Sequence, residues 1–344
     1  MRQGSFLRPG NSVSRRFPNV ARTAYDRSMT SMHPENADAN RLTVGERLVA
    51  IYEGRGFCVH GGWNSHHLGG WPHAGGTYLT KDGRPLNTGG GGLCWQEIPC
   101  FELLSYCFSP RRVLVIGNSF GWSTLLISLL WPDARVVAMD IGVQPPADAA
   151  QKILVRVLSA LRGDTLLLNP KPTYGIELTN ELARIHQLKA EAVLSASPND
   201  VSWVVEKHLG GQLDFAFIDG YHIPSQAVLD FDACRKVAGP DCVYLFHDVI
   251  NWGLRDAFEL CKKRSGLLGD ILWRTPSGMG LLYPEARSEL RRVFRAFGDD
   301  EKELKSAKAK LPRWKLAVWV ERKVLGNRML KRLKDAVIKP ERKV

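Results

Sequence analysis

The middle of this chain alternates short apolar, β-branched runs with segments of helical periodicity. The runs predict strands at residues 112–116, 135–139, 192–194, 213–218 and 242–246, with helices between them. Such runs are typical of strands that are buried on both faces of a parallel sheet. Residues 271–274 and 279–283 predict a hairpin around the turn 275–278, so the last strand runs antiparallel. The pattern predicts an α/β fold: a Rossmann-like, doubly wound, mostly parallel seven-strand sheet with an antiparallel last strand.

The composition changes on both sides of this region, which predicts four parts of the chain. Residues 1–40 are polar and rich in Arg and Ser, typical of a disordered basic arm, with a transit peptide as the alternative. Residues 41–107 carry helices at 42–52 and 95–107 around a Gly-, Trp- and His-rich stretch, 57–94, whose two glycine-rich runs, 61–76 and 89–92, are too flexible for regular structure. We interpret residues 41–107 as a lid region. Residues 108–284 hold the sheet, and residues 285–344 form a basic helical extension.

Composition narrows the class of protein. No apolar run approaches the ~20 residues of a membrane-spanning helix, which argues against an integral membrane protein. Seven cysteines without a C-x-x-C pair are typical of a reduced, cytoplasmic compartment. The net charge is +12, and residues 285–344 hold 19 Lys and Arg against 9 Asp and Glu. A basic surface that binds a partner is therefore expected in the tail, residues 285–344.

The turn after the first strand has the composition of a ligand-binding loop. Gly117 and Gly121 allow a positive φ and a close approach of a ligand to the backbone, and Ser123 and Thr124 are expected to cap the next helix. Ser119 stands where a dinucleotide fingerprint has its second glycine, which argues against NAD and FAD. Asp140 ends the second strand, where a carboxylate suits a ribose diol. A purely structural turn is the alternative.

Four polar residues follow the fourth and fifth strands. Asp219 and His222 come after one, and His247 and Asp248 after the other. Because the carboxyl ends of adjacent parallel strands meet at the ligand crevice, these side chains are expected to converge. A histidine suits proton removal near neutral pH, and a metal would lower the pKa of a hydroxyl. The alternatives are a turn-forming Asp219 before Gly220 and a core histidine at 247.

Five segments in order carry a family resemblance: VLVIGNSFGWST, VVAMD, FAFIDGYH, CVYLFHDV and the hairpin ILWRTPSGMGLLY. Over residues 98–284 the chain resembles the class I S-adenosylmethionine-dependent methyltransferases, particularly the branch with catechol-type and macrolide-sugar O-methyltransferases. The resemblance implies cofactor contacts from Gly117, Asn118, Ser119 and Gly121 at the methionine moiety, Asp140 at the ribose, and Ser195 and Ser197 beside the adenine. It implies metal ligands Asp219, His247 and Asp248, with His222 as the base.

Two positions depart from the family pattern. Val115 stands where the family often has a glutamate, and His247 replaces the first member of an acidic pair. Imidazole is a poor ligand for Mg²⁺ but acceptable for Mn²⁺ or Fe²⁺. The metal expected at the site is therefore Mg²⁺, Mn²⁺ or Fe²⁺, and a site without a metal is the alternative.

The resemblance implies S-adenosylmethionine as cofactor and O-methylation of a small-molecule or glycan hydroxyl. A nucleic-acid methyltransferase is one alternative, suggested by the basic tail, although Asp219 to His222 is not the N/D-P-P-Y/F motif of base-amino methyltransferases. A non-catalytic binding module with the same fold is the other.

The tail carries one further pattern. Apolar residues at spacings of three, four and seven in residues 311–338 predict a helix with one apolar stripe and a basic remainder. The stripe either packs on the protein's own core or rests on an anionic membrane or a membrane-bound glycan. Nucleic acid is the least favoured partner, since the stripe is more apolar than phosphate contacts require. The predicted location is the cytoplasm, with peripheral membrane contact as an option.

Overall fold

The computed structural model describes residues 42–61, 76–88, 90–142 and 171–299, together with residues 302, 305 and 306. The elements below belong to one compact unit that begins at Thr43. Two predicted features lie outside the described residues: the arm at 1–40 and the amphipathic stretch 311–338. None of the helices in the described ranges is long and apolar enough to cross a membrane.

A seven-stranded sheet forms the centre of the unit. In chain order its strands are β4 (Arg112–Ile116), β5 (Arg135–Asp140), β6 (Ala190–Leu194), β7 (Leu213–Ile218), β8 (Ala238–Phe246), β9 (Leu268–Leu272) and β10 (Met279–Tyr283). The spatial order is β6-β5-β4-β7-β8-β10-β9. The first five strands pair in parallel, and β10 runs antiparallel to both of its neighbours. The predicted fold class and the antiparallel last strand are confirmed.

Helices cover both faces of this sheet. They are α1 (Val44–Glu53), α2 (Ile98–Cys107), α3 (Trp122–Leu130), α4 (Tyr174–Ile185), α5 (Val201–Val204), α6 (Pro224–Lys236), α7 (Arg255–Ser265) and α8 (Arg291–Phe297), with a π-helical turn at Val205–Leu209 and 3₁₀ turns at Trp95–Glu97 and Glu285–Leu290. Val113 and Val115 join the core cluster with α1 to α4 and α8, whereas Leu114 and Ile116 join the cluster with α5 to α7. This alternation follows from the two-residue period of a strand.

The region before the sheet contains more regular structure than the sequence predicts. β1 (Cys58–His60), β2 (Tyr78–Lys81) and β3 (Arg84–Pro85) form a small antiparallel sheet. These strands are not predicted by the sequence, and they lie outside the two glycine-rich runs, residues 61–76 and 89–92, to which the prediction of no regular structure applies. Leu79 and Leu86 are buried in the core cluster that contains α1 to α4, and this burial stabilises strands that a glycine-rich composition alone does not predict.

The start of α3 differs from the prediction that Ser123 and Thr124 cap it. The helix begins at Trp122 with Gly121 at the N-cap, and both hydroxyl residues are buried inside its first turn. A capping side chain must precede the helix, and here the left-handed Gly121 occupies that position. The predicted caps are therefore wrong.

The chain after the sheet also contributes to the core. Leu290 and Val293, on either side of the start of α8, are completely buried, and the Phe294 ring lies 5.9 Å from that of Tyr283. The segment up to residue 297 therefore packs as part of the compact unit.

Candidate functional site

The loop between β4 and α3 needs its two glycines for steric reasons. Gly117 has φ +93°, and a Cβ atom there would lie 2.0 Å from the carbonyl oxygen of Asp219. Gly121 has φ +91°, and its Cβ would lie 2.2 Å from Thr179 Oγ1. Any L side chain at these positions would meet both backbone strain and a fixed neighbour. The loop therefore lies directly against the loop after β7.

Asp140 holds this loop with one carboxylate oxygen and the chain after β5 with the other. Oδ2 accepts hydrogen bonds from the backbone N–H groups of Asn118, at 2.7 Å, and Ser119, at 3.0 Å. Oδ1 accepts one from the N–H of Gly142 at 2.7 Å. A carboxylate has about four lone-pair sites, so these bonds leave acceptor capacity on Oδ1. Asp140 thus shapes the glycine loop besides lying where the ribose is expected.

The side chains of Asn118 and Ser119 are engaged by the protein itself. Asn118 is 4% exposed; its amide donates to Thr179 Oγ1 at 2.9 Å, and its carbonyl accepts from Thr124 Oγ1 at 2.9 Å. Ser119, with φ +48°, donates from Oγ to the Gly90 carbonyl at 2.9 Å. What the loop presents to a ligand is therefore mainly its backbone.

Ser195 and Ser197 lie after β6, next to the same edge. The N–H of Ser195 donates to the Asp140 carbonyl at 3.0 Å, and Ser197 Oγ donates to Asp230 Oδ1 at 2.5 Å. Gln226 donates to the same Asp230 oxygen at 2.7 Å. Burial raises the pKa of the Asp230 carboxyl, although the hydrogen bonds from Ser197 and Gln226 oppose that effect. Of the two predicted adenine residues, Ser197 thus joins a buried polar group on α6, whereas Ser195 bonds to backbone carbonyls of β5 and β6.

Four side chains converge where β7 and β8 end. Because these strands are parallel neighbours, Asp219, His222, His247 and Asp248 are brought to one place, with potential ligand atoms all within 4.8 Å of one another. His222 Nε2 lies 3.3 Å from Asp219 Oδ1 and 3.3 Å from Asp248 Oδ2. Asp248 has φ +55°, a sparsely populated conformation for a residue other than glycine. The convergence that the sequence predicts is present in the structure.

His247 has an incompletely satisfied side chain. Its Nδ1 lies 3.0 Å from Asp219 Oδ1 and 3.4 Å from Asp248 Oδ2. Among the described residues, however, this buried nitrogen makes no hydrogen bond of acceptable geometry. Buried polar atoms are rarely left in this state. Nδ1 therefore lies within ion-pair distance of two carboxylate oxygens, but no hydrogen bond of acceptable geometry joins it to either.

Electrostatics couple the members of this cluster. Burial raises the pKa of Asp219, but the charge of His247 and a hydrogen bond from His222 outweigh burial and lower the pKa to about 2. Burial lowers the pKa of His247, yet the charges of Asp219 and Glu97 raise it well above its usual value. Without a cation, a protonated His247 therefore holds the carboxylates together.

Glu97 is a site residue that the sequence analysis missed. It is 0% exposed, and its Oε2 lies 3.1 Å from His247 Nε2. Burial raises the pKa of Glu97, but the charge of His247 and hydrogen bonds from His247 and Ser277 bring it below the usual value. A glutamate just before an amphipathic helix resembles any first-turn acid, so its sequence carries no signal of this contact.

The four-residue cluster fits a divalent cation by two criteria. Its donor atoms are 3.0–3.4 Å apart in the pairs described above. Two ligands that each lie ~2.1 Å from a metal are separated by about 3.0 Å at octahedral and about 3.4 Å at tetrahedral angles. One imidazole, that of His247, together with two carboxylates suits Mn²⁺ or Fe²⁺ better than Mg²⁺. The unpaired Nδ1 of His247 is the donor that such a cation would satisfy.

The surface beside the cluster is apolar. The Trp252 ring stacks on the His222 imidazole, with centroids 5.3 Å apart and planes 17° from parallel. Tyr221, Ile223 and Ile250 are exposed nearby in the chain. An aromatic ring against one face of His222 restricts its orientation, and exposed apolar side chains next to a polar cluster are typical of ligand sites.

Residues 114–249 match a family model described as a methyltransferase domain. The matched segment contains both the glycine loop and the four-residue cluster. The domain is a class I S-adenosylmethionine-dependent methyltransferase. The match supports methyltransferase activity in this domain, with S-adenosylmethionine as the cofactor.

Solved structures similar to this methyltransferase include two bacterial enzymes. A methyltransferase from Geobacter sulfurreducens has a TM-score of 0.40 and 13% identity over 78% of this chain and 98% of that one. An O-methyltransferase from Bacillus cereus in complex with SAH has a TM-score of 0.36 and 13% identity over 76% and 97%. At TM-scores below 0.5 these likenesses say nothing about substrate or mechanism. Among curated proteins, none matches this chain.

Proposed function

We propose that this methyltransferase methylates a hydroxyl oxygen of a small-molecule or glycan acceptor, with His222 as the base beside a divalent metal. Asp219 Oδ1, His247 Nδ1 and Asp248 Oδ2 would hold the metal. The observation that carries the proposal is the unpaired, buried Nδ1 of His247, which faces two carboxylate oxygens. A histidine that merely filled the core would have its ring nitrogens paired.

Charge supports a cation at this position. Glu97, Asp219 and Asp248 lie around one buried imidazole, and their ion-pair partners among the described residues are His222 and His247. Even with His247 protonated, three carboxylates exceed the positive charge available. Buried charges normally require a partner, and a divalent cation would balance this excess. When bound, the metal would lower the pKa of the acceptor hydroxyl.

His222 is the residue that would receive the acceptor proton, and its neighbours support this role. Its Nε2 faces the two aspartates at 3.3 Å, while Trp252 stacks on the ring and holds its plane. In the reaction the acceptor oxygen forms a bond to the methyl carbon as the carbon–sulfur bond breaks, and the hydroxyl proton passes to His222. The sulfonium is already activated, so the protein's task is to position the oxygen and remove its proton.

The cofactor is proposed to bind along the edge of β4, β5 and β6. The backbone of residues 117–121 would line the methionine moiety, the free acceptor capacity of Asp140 would receive ribose hydroxyls, and Ser195 and Ser197 would lie beside the adenine. The hydrogen bonds that Asp140 accepts from the glycine loop support this assignment, because they join the ribose acceptor and the loop in one rigid unit.

Metal-dependent methyl transfer tests the function. The chelator-treated protein is assayed with labelled S-adenosylmethionine and panels of small-molecule and glycan hydroxyls, before and after addition of Mn²⁺, Fe²⁺ or Mg²⁺. We expect transfer to be restored by Mn²⁺ or Fe²⁺ more than by Mg²⁺. Asp248→Asn should lose the metal response, whereas Asp241→Asn, at an exposed aspartate on β8, the strand that precedes Asp248, should keep it. Full activity after chelation would refute the proposed role of a metal. Cofactor binding without methyl transfer to any hydroxyl would favour the non-catalytic alternative.

The basic tail is proposed to bring the enzyme to an anionic membrane surface from the cytoplasm. The support is the sequence pattern of residues 311–338, which lie outside the described residues. Liposome flotation of the full chain and of a truncation after Asp299 tests it. This truncation keeps the buried Leu290 and Val293. If the full chain fails to float with anionic vesicles at low salt, the membrane contact is refuted.

A further inference from the structure

Glu97 occupies a fully enclosed position between three parts of the chain. It precedes α2, it contacts His247 after β8, and it contacts Ser277 in the turn between β9 and β10. The contacts to His247 and Ser277 span 150 and 180 positions of sequence. Burying a charge without compensation is costly. The Glu97 carboxylate is therefore expected to have a specific role at the contacts that it makes.

Three donors other than the histidine hold the Glu97 carboxylate. The N–H of Cys94 donates to Oε2 at 2.9 Å, the N–H of Ser277 donates to Oε1 at 3.1 Å, and the Ser277 hydroxyl also donates to Oε1. Hydrogen bonds of this kind favour the ionised carboxylate, which is only an acceptor. The remaining neighbour, His247 Nε2 at 3.1 Å from Oε2, must then be the donor.

A proton on Nε2 has a consequence at the other ring nitrogen. In a neutral imidazole only one nitrogen carries a proton, so Nδ1 presents its lone pair. This Nδ1 is the atom that lies 3.0 Å from Asp219 Oδ1 and 3.4 Å from Asp248 Oδ2. When a histidine binds a metal through one ring nitrogen, a carboxylate often accepts a hydrogen bond from the N–H of the other. This hydrogen bond fixes the tautomer and the orientation of the ring and increases its basicity.

We infer that Glu97 is a positioning residue for the metal site: its carboxylate holds the proton of His247 on Nε2 and thereby makes Nδ1 a metal ligand. This inference rests on the proposed metal site and adds a residue from outside the methyltransferase domain. The segment before the sheet then has a part in the chemistry of the site, because it supplies the group that prepares one ligand.

Calorimetric titration with Mn²⁺ alone, in the absence of S-adenosylmethionine, tests the inference on the full chain. Glu97→Gln keeps the size of the side chain but removes its charge, and its amide can donate to Nε2. We expect Mn²⁺ affinity to fall about 10- to 100-fold, the usual effect of losing such a partner. Glu102→Gln, on α2 itself, is the matched control and should bind Mn²⁺ as the wild type does. Thermal unfolding of each metal-free variant separates lost affinity from lost folding.

The outcomes distinguish this inference from the metal site on which it rests. Mn²⁺ binding that is equal in wild type and folded Glu97→Gln overturns the role of Glu97 and leaves the metal site standing. A wild type that binds no Mn²⁺ overturns both.

A measurement on the wild type does not depend on the folding of a variant. In long-range ¹H–¹⁵N NMR spectra of the Zn²⁺-loaded protein, His247 should show a protonated Nε2 and a metal-bound Nδ1. A protonated Nδ1 in that state would overturn the inference.

Discussion

The loop after β4 and the loops after β7 and β8 lie along the same edge of the sheet, but they use their side chains in opposite ways. In the first loop, Asn118 and Ser119 turn their side chains to Thr179 and Gly90, so the backbone is left for a ligand. In the second region, four ionisable side chains turn toward one another.

Because of this difference, substitutions in the first loop should mainly affect stability, and substitutions in the side-chain cluster should mainly affect turnover. A backbone-lined loop is sensitive to changes that move the chain, whereas a side-chain cluster is sensitive to changes that remove one functional group. The predictions below use that contrast.

The largest effect is expected from the side-chain cluster. His222→Ala should lower turnover by about 10²- to 10⁴-fold, as loss of a general base usually does, with little change in affinity for S-adenosylmethionine. Single-turnover methyl transfer and calorimetry measure the two quantities. His186→Ala, a half-buried histidine after α4, is the control. A variant that loses affinity and keeps turnover would place His222 with the cofactor instead.

The next effect concerns the backbone of the glycine loop. Gly117→Ala should lower the free energy of unfolding by more than about 3 kcal/mol, because its Cβ would meet the Asp219 carbonyl at 2.0 Å as well as the strain of a positive φ. Gly210→Ala shares the positive φ, at +67°, but has no atom within 4 Å of the added Cβ. It should cost only about 1–2 kcal/mol. Equal losses in urea unfolding would show that the close approach to Asp219 is unimportant.

Asp140 has both a structural and a ligand-binding role, since it holds the glycine loop and is expected to bind the ribose. Asp140→Ala should weaken S-adenosylmethionine binding by about 1.5–3 kcal/mol, the scale for lost hydrogen bonds to a charged group. It should also lower the stability of the cofactor-free protein, because three backbone N–H groups lose their acceptor. Calorimetry and thermal unfolding give the two values. Unchanged affinity would remove Asp140 from the cofactor site.

The smallest effect is a dependence of stability on pH in the metal-free protein. The pKa of Asp219 falls from the ordinary 3.8 to about 2 on folding. A lowered pKa contributes stability that is present above about pH 4 and is lost as the pH falls toward 2, by about 2 kcal/mol at most. Urea unfolding between pH 2 and 5 should show this slope in wild type and a flatter one in Asp219→Asn. The same slope in both would place the titrating group elsewhere.

Much of the architecture followed from local pattern. The apolar runs that predicted β4, β5, β7 and β8 are buried on both faces, and the turn at 275–278 predicted the antiparallel β10. The convergence of Asp219, His222, His247 and Asp248 could be predicted for the same reason, because residues after adjacent parallel strands must meet. The small sheet of β1 to β3 could not, since its strands depend on the burial of Leu79 and Leu86 against a core that is distant in sequence.

The sequence by itself thus determined the central strands and the polar side chains that follow β7 and β8, because the period of a strand and the residues at its end are local properties. Only the tertiary structure decided how those side chains are used. In the folded protein the Asn118 side chain is buried and serves the structure of the loop. Glu97, which is 150 positions away in sequence, contacts Nε2 of His247. Such contacts depend on how separate elements pack, and no spacing in the sequence encodes them.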